Sequence, residues 1–259
     1  MSEGVEISYH HNLISDTARL AGFYEAISKK ANGTVYDLGT GSGILSIWAA
    51  HHADLVYSVE INKSIAESTR SNLKDFENIE VINADASKFS FSKKADVIIC
   101  EMLDTALIDE EQLPVLNSVR KYLKDSGVII PCGIINCIEP IQVETEHICY
   151  EEDGHPKNLV LGEPLFYSII DFGIYTAETF RKSLEIKIKT SGIVSGVKIT
   201  TFTLITKDII CGPTPMLNPP LIIPLKKTKV QKGNVLQLDL GYEMGGGLES
   251  VRARIEKIH

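Results

Sequence analysis

Nowhere in the 259 residues does an uncharged apolar run approach the length of a membrane span, so no transmembrane helix is expected. The N-terminal MSEGVEISYHH lacks a basic stretch followed by an apolar one, so no secretory leader is expected. Cysteine is sparse and odd in number: Cys100, Cys132, Cys137, Cys149 and Cys211 show no C-x-x-C spacing. They read as reduced thiols of a cytoplasmic protein, not as a disulfide framework, and no metal site is expected. A basic excess is missing too. The net charge is −8; residues 1–130 carry 12 basic and 19 acidic side chains and residues 131–259 carry 14 and 15. A duplex binder needs a basic face to release phosphate counterions, so nucleic acid is disfavoured as a partner. Lys226, Lys227, Lys229 and Lys232 read as a solvated strand edge. No repeat or low-complexity linker interrupts the chain. With 44% hydrophobic and 23% charged residues, the composition is that of a globular protein of one large or two smaller domains.

Up to about Pro131, short apolar runs alternate with helical stretches. Thr34–Leu38, Leu55–Val59, Ile79–Ile82 and Asp96–Cys100 read as buried strands; Ile44–Ala50, Lys63–Leu73 and Glu111–Leu123 read as helices. This alternation predicts βαβ units around a mostly parallel sheet. Beyond Pro131 the period becomes two, in Leu184–Thr190, Val197–Lys207, Val235–Tyr242 and Val251–Ile258, which predicts antiparallel sheet. Gly245–Gly247 reads as a turn, and Gly212–Pro224, with five prolines, as an extended loop. The expected fold is α/β: a Rossmann-like domain over residues 1–130, then an antiparallel, barrel-like β domain over residues 131–259.

The first strand runs into Asp37-Leu38-Gly39-Thr40-Gly41-Ser42-Gly43. Glycines there turn the chain sharply and let a ligand approach the backbone. The spacing is G-x-G-x-G, whereas a dinucleotide fingerprint needs glycine where Ile44 stands. Asp37 would repel a pyrophosphate but attract an ammonium group. Glu60 ends the second strand, where a carboxylate can accept from both ribose hydroxyls. Asp85, followed by Ala86, ends the third and is placed to accept from an adenine amino group. Ammonium, ribose and adenine without phosphate describe S-adenosyl-L-methionine, with S-adenosyl-L-homocysteine as product. Strand-end acids also cap helices, and three at successive strand ends favour the ligand reading.

The run Y-D-L-G-T-G-S-G-I-L-S resembles the first motif of Rossmann-like S-adenosylmethionine methyltransferases. Within them, residues 10–131 resemble protein arginine methyltransferases. Upstream stands H-x5-D-x2-R as His10, Asp16 and Arg19, and the resemblance assigns Arg19 to the methionine carboxylate. The fourth strand ends in Cys100-Glu101-Met102-Leu103, similar to the family's S-E-W-M, and the second family glutamate falls nine residues on, at Glu110. Gly127–Pro131 resembles the family's link into its β-barrel. The family's T-H-W triplet is absent; Leu217-Asn218-Pro219-Pro220-Leu221 stands in the comparable place, making Asn218 a candidate pocket residue beside His10 and Asp104. Nine residues precede His10 in the sequence, with Tyr9 the single aromatic among them, so the family's N-terminal lid helix with paired aromatics is not expected here.

These losses fall on the acceptor side. Glu101 and Glu110 are the expected catalytic carboxylates, able to clamp a guanidinium or fix an imidazole tautomer. Arg19, Asp37, Gly39, Gly41, Glu60, Asp85 and Ala86 are the expected cofactor residues. Asp104, Asp109 and Glu111 make the loop more acidic still, which suits a cationic or N–H-rich acceptor. The expected activity is methylation of a side-chain nitrogen on a protein, arginine- or histidine-type, by a cytoplasmic enzyme, as a monomer or a homodimer. An RNA or small-molecule methyltransferase and a non-catalytic cofactor-binding subunit are the alternatives.

Overall fold

The computed structural model describes residues 16–259. The first element, α1 (Thr17–Lys30), starts at Asp16, whose side chain accepts from the Arg19 amide, and ends on Lys29 and Lys30. A carboxylate at the start and cations at the end both suit the helix dipole. Then follow β1 (Thr34–Leu38), α2 (Ile44–Ala50), β2 (Leu55–Glu60), α3 (Lys63–Asn72), β3 (Ile79–Asn83), β4 (Ala95–Cys100), α4 (Gln112–Val119) and β5 (Leu123–Ile130). Strands β1, β2 and β4 are almost wholly buried, as their unbroken apolar sequences require.

The five strands form one parallel sheet in the order β3-β2-β1-β4-β5. Phe23, Ile27, Leu45 and Ala49 from α1 and α2 pack against Val35, Val56, Val97 and Ile99 on one face. Complete burial of each larger apolar side chain contributes roughly 1.5–3 kcal/mol. Because β1 is flanked by β2 on one side and β4 on the other, the winding reverses there. The loops after β1 and β4 therefore bound a crevice at the carboxyl edge.

The expected helix over Glu111–Leu123 is shorter, passing through a 3-10 turn at Arg120–Tyr122. Gly127–Ile130, read as part of a link, belongs to the fifth strand. Its polar start, Lys124-Asp125-Ser126, is exposed and falls in a shift of register between the pairs Ala95–Leu123 and Val97–Val128. A cis Ile130–Pro131 bond then leads out of the parallel sheet.

The remaining strands are β6 (Gly133–Val143), β7 (Cys149–Tyr150), β8 (Asn158–Val160), β9 (Leu165–Asp171), β10 (Thr179–Lys187), β11 (Gly192–Thr206), β12 (Ile209–Cys211), β13 (Leu221–Val230), β14 (Val235–Glu243) and β15 (Arg252–Ile258). They form a seven-stranded antiparallel sheet around β6, β11 and β13 and a three-stranded one, β10-β14-β15. The two share one apolar core, with Ile134, Val197 and Ile223 from the first and Leu184, Leu236 and Leu238 from the second. The proline-rich loop is shorter than expected. It ends at Pro220, and Pro224 lies within β13 opposite Gly196, beside a shift of register. A residue without an N–H is tolerated in a strand at such an irregularity.

Candidate active site

The turn after β1 is held by two amides, of Gly39 and Thr40, that donate to the Val59 carbonyl at 2.9 and 3.1 Å. Gly39 has φ +73°, and a Cβ there would lie 3.0 Å from Met102 Cγ. Gly41 has φ +52° and no atom nearer than 3.9 Å to where its Cβ would sit, so this stretch of backbone is open to a ligand. Asp37 lies beneath the turn, 1% exposed. Its Oδ2 accepts from Thr40 Oγ1 at 2.8 Å and Ser46 Oγ at 2.5 Å. Burial pushes its carboxyl up to about 6, with the two hydroxyls opposing and the Glu101 charge adding to the rise.

Glu60 ends β2 at the same edge. Its Oε2 accepts from the Gly41 amide at 3.1 Å and its Oε1 from the Asn62 amide at 2.9 Å. Each carboxylate oxygen keeps a second lone pair for a ribose hydroxyl. Asp85 follows β3. Its Oδ1 accepts from the Ser87 amide and hydroxyl and its Oδ2 from Lys88 Nζ, which hold its carboxyl below the usual range. Ala86 beside it is buried. The glycine turn, the open face over Gly41 and the Glu60 carboxylate together fit S-adenosylmethionine.

Arg19, 4% exposed on α1, meets Glu101 at the end of β4. Its Nε donates to Glu101 Oε1 at 3.0 Å and its Nη2 to Oε2. The side chains expected at the cofactor carboxylate and at the acceptor are thus in direct contact, so the two subsites adjoin. The peptide groups on either side of Glu101 are held by one fully buried side chain, Gln112. Its Nε2 donates to the Cys100 carbonyl at 2.6 Å and its Oε1 accepts from the Met102 amide at 2.9 Å.

Between Glu101 and Glu110 the chain makes a tight excursion, with Ala106 and Leu107 at φ +60° and +61°. Left-handed backbone at such residues costs roughly 1–3 kcal/mol each and persists only where the surroundings dictate it. Here the antiparallel sheets do so. The Ala106 amide donates to Thr201 Oγ1 at 2.8 Å, and Thr105 Oγ1 donates to the Pro219 carbonyl at 2.6 Å. The Gly245 and Gly247 amides, in the turn between β14 and β15, donate to the Leu107 and Ile108 carbonyls at 2.8 and 2.9 Å. Asp104, expected in the pocket, is 6% exposed and collects the Ile108, Asp109 and Glu110 amides and the Tyr150 hydroxyl. Burial pushes its carboxyl up to about 7 against the pull of these donors.

Glu110 itself is exposed, and desolvation, then the charges of Asp109, Glu101 and Glu111, raise its carboxyl. It lines a groove of about 630 Å³ with Asp104, Asp109, Glu151, Glu152 and Asp153, and no lining residue among those described is cationic. One wall is the proline-rich loop, where Thr214 Oγ1 donates to Asp16 Oδ2 and so ties the loop to the start of α1. Asn218 does not reach the groove. It sits at φ +55° before two prolines, 0% exposed, with Nδ2 donating to Thr203 Oγ1 at 2.7 Å. His10 lies outside the described residues. Gln112, Tyr150, Thr214 and Gly247 carry no motif that singles them out; their roles come from contacts across the fold.

Residues 17–146, half of the chain, match the ribosomal protein L11 methyltransferase (PrmA) family. The chain belongs to this methyltransferase family. The methyltransferase is 48% identical over 248 residues to an uncharacterised protein of Methanothermobacter thermautotrophicus, spanning 95% of this chain and 97% of that one. Over 144 residues it is 35% identical to protein arginine N-methyltransferase PRMT10 of Arabidopsis thaliana, spanning 52% of this chain and 37% of that one. Among solved structures, the Trypanosoma brucei PRMT1 enzyme–prozyme heterotetrameric complex with AdoHcy superposes with a TM-score of 0.76 at 17% identity. The match covers 89% of this chain and 86% of that one and is a likeness of fold. The chain is an S-adenosylmethionine-dependent methyltransferase related to the arginine methyltransferases. No helix among the described residues is long and apolar enough to cross a membrane.

Proposed function

We propose that this methyltransferase modifies a side-chain nitrogen of a protein, of the arginine or histidine type. The observation that carries the reading is the groove at the carboxyl edge of β4, where Glu110, whose carboxyl the Glu101 charge helps to raise, stands among further carboxylates with no cation among the described lining residues. Such a lining attracts a cationic or N–H-rich group and repels phosphate. Residues 1–130 would bind the cofactor and residues 131–259 select the acceptor. Free cysteines throughout the described chain agree with work in the cytoplasm.

Bound S-adenosylmethionine supplies an electrophilic methyl group on a sulfonium. Gly39, Gly41 and Asp37 would hold its amino-acid end, Glu60 its ribose and Asp85 with Ala86 its adenine. Arg19, beside Glu101, would take its carboxylate. On the acceptor side Glu101, held by Arg19, would accept from an acceptor N–H and so turn a nitrogen lone pair toward the methyl group. These residues would hold the acceptor nitrogen oriented toward the cofactor and keep water from the site. Glu110 supplies a second acceptor, and its raised pKa suits it to take the proton that the methylated nitrogen sheds.

The test is transfer from methyl-labelled S-adenosylmethionine into an extract of source cells lacking this gene, split by protease and by ribonuclease. The reading predicts protease-sensitive label that hydrolysis releases as methylated arginine or histidine. Label that survives protease and is lost with ribonuclease, or that stays in small molecules throughout, overturns it.

A further inference from the structure

We infer that Asp104 is a positioning residue that holds Glu110 at the groove, and that Tyr150 couples this hold to the antiparallel sheets. The inference rests on Glu110 being an acceptor-side carboxylate, as proposed above. Asp104 begins the excursion after β4 in an extended conformation, φ −135° and ψ 177°. Its side chain folds forward over the turn and accepts from three successive amides: Ile108 at 3.1 Å and Asp109 at 2.9 Å on Oδ2, and Glu110 at 3.3 Å on Oδ1. The last of these fixes the backbone of Glu110 itself. The Tyr150 hydroxyl adds a fourth donor to Oδ2 at 3.2 Å.

Tyr150 belongs to β7, which pairs with β13 and leads directly into Glu151, Glu152 and Asp153 of the groove wall. One side chain thus joins the two sides of the groove. Three converging N–H groups call for a side chain that only accepts. An asparagine would put an NH2 where an oxygen now meets an amide. A buried carboxylate beside other carboxylates is otherwise an expensive choice, which argues that holding the loop is the reason for it.

The test compares the full chain with Asp104→Asn and Tyr150→Phe. Three quantities are read: amide hydrogen exchange across residues 105–111 by mass spectrometry, S-adenosylhomocysteine affinity by calorimetry, and methyl transfer into the extract at varied S-adenosylmethionine. At pH 8, above the value of about 7 to which burial pushes the Asp104 carboxyl, exchange in the segment for Asp104→Asn should rise about tenfold or more, as expected for loss of at least one charge-assisted hydrogen bond. The apparent kcat should fall by a similar factor, while cofactor KM and S-adenosylhomocysteine affinity stay within about twofold. Tyr150→Phe keeps the three amide contacts, so its changes should run the same way and be smaller. It also serves if Asp104→Asn does not fold.

Unchanged exchange in 105–111 in both variants, or faster exchange with undiminished transfer, overturns the inference. So does a loss of transfer matched by a loss of cofactor affinity, the mark of general damage. If the wild-type label proves not to be in protein, the proposed acceptor is wrong, and the exchange and kcat comparison still decides the role of Asp104.

Discussion

Gln112→Leu removes the one side chain that brackets Glu101. The native carboxamide donates to the Cys100 carbonyl at 2.6 Å and accepts from the Met102 amide at 2.9 Å. Leucine fills similar volume and serves neither group. Two hydrogen bonds at about 1 kcal/mol net are lost, and a carbonyl within the buried end of β4 loses its partner, so the total cost is roughly 3–4 kcal/mol. For a chain of this length the unfolding entropy is about 0.5 kcal/mol per degree, so the melting temperature should fall by about 6–8 °C. Circular dichroism during heating reads this directly. Transfer should fall further than the lost folded fraction explains, because the freed peptide groups flank Glu101. Gln112→Glu is the informative control. Its protonated carboxyl can donate to one group and accept from the other, whereas its ionised form faces the Cys100 carbonyl without a donor. Burial raises that carboxyl, so the variant should approach wild-type stability in acid and lose it as pH rises. A Gln112→Leu protein that melts within about 1 °C of wild type would refute the bracketing role.

Arg19→Ala should weaken S-adenosylmethionine binding by calorimetry and also destabilise the fold by about 3 kcal/mol, since Glu101, largely but not fully buried, is left without its cation. Adding Glu101→Gln should restore stability but not affinity; restored affinity would separate Arg19 from the cofactor. Glu101→Gln alone should keep cofactor affinity and abolish turnover, and full activity would remove Glu101 from the mechanism. For Asp37, whose carboxyl rises from an ordinary value of 3.8 to about 6, the acid form is favoured in the folded state. Its contribution is complete below about pH 4 and lost as pH rises through about 6, for a change of about 3 kcal/mol. Urea unfolding of Asp37→Asn should therefore lack that part of the pH slope; identical slopes would contradict the shift.

The parallel half was legible because buried parallel strands are unbroken apolar runs, as in V-I-I-C, and because Gly39 and Gly41 stand where the chain must turn. The fifth strand hid behind Lys124-Asp125-Ser126, exposed residues that fall in a shift of its register with β4. Strand β6 escaped notice because its sequence, GIINCIEPIQV, carries Pro140 inside a strand with neighbours on both edges. On the candidate site, Arg19, Glu60, Glu101 and Glu110 lie at the carboxyl edge where spacing and resemblance put them. Asp104 and Asn218 are expected in the pocket from composition and position alone. Asp104 lines the groove while its side chain gathers amides of the loop, whereas Asn218 turns inward at a left-handed residue. Neither a positive φ at Ala106 nor a contact spanning 95 residues, as between Ala106 and Thr201, leaves a trace in local sequence.

That contact has a consequence for how such an enzyme changes over time. The loop joining Glu101 and Glu110 is shaped by Thr201, Pro219, Tyr150 and the Gly245–Gly247 turn, all of them outside the parallel sheet. The antiparallel region thus acts as a mould for this loop, beyond the acceptor selection proposed for it. A graft that exchanged it for another β region would recast the spacing of Glu101 and Glu110 along with the substrate. Altered specificity and retained turnover then have to be acquired together, through changes to both halves of the same seam.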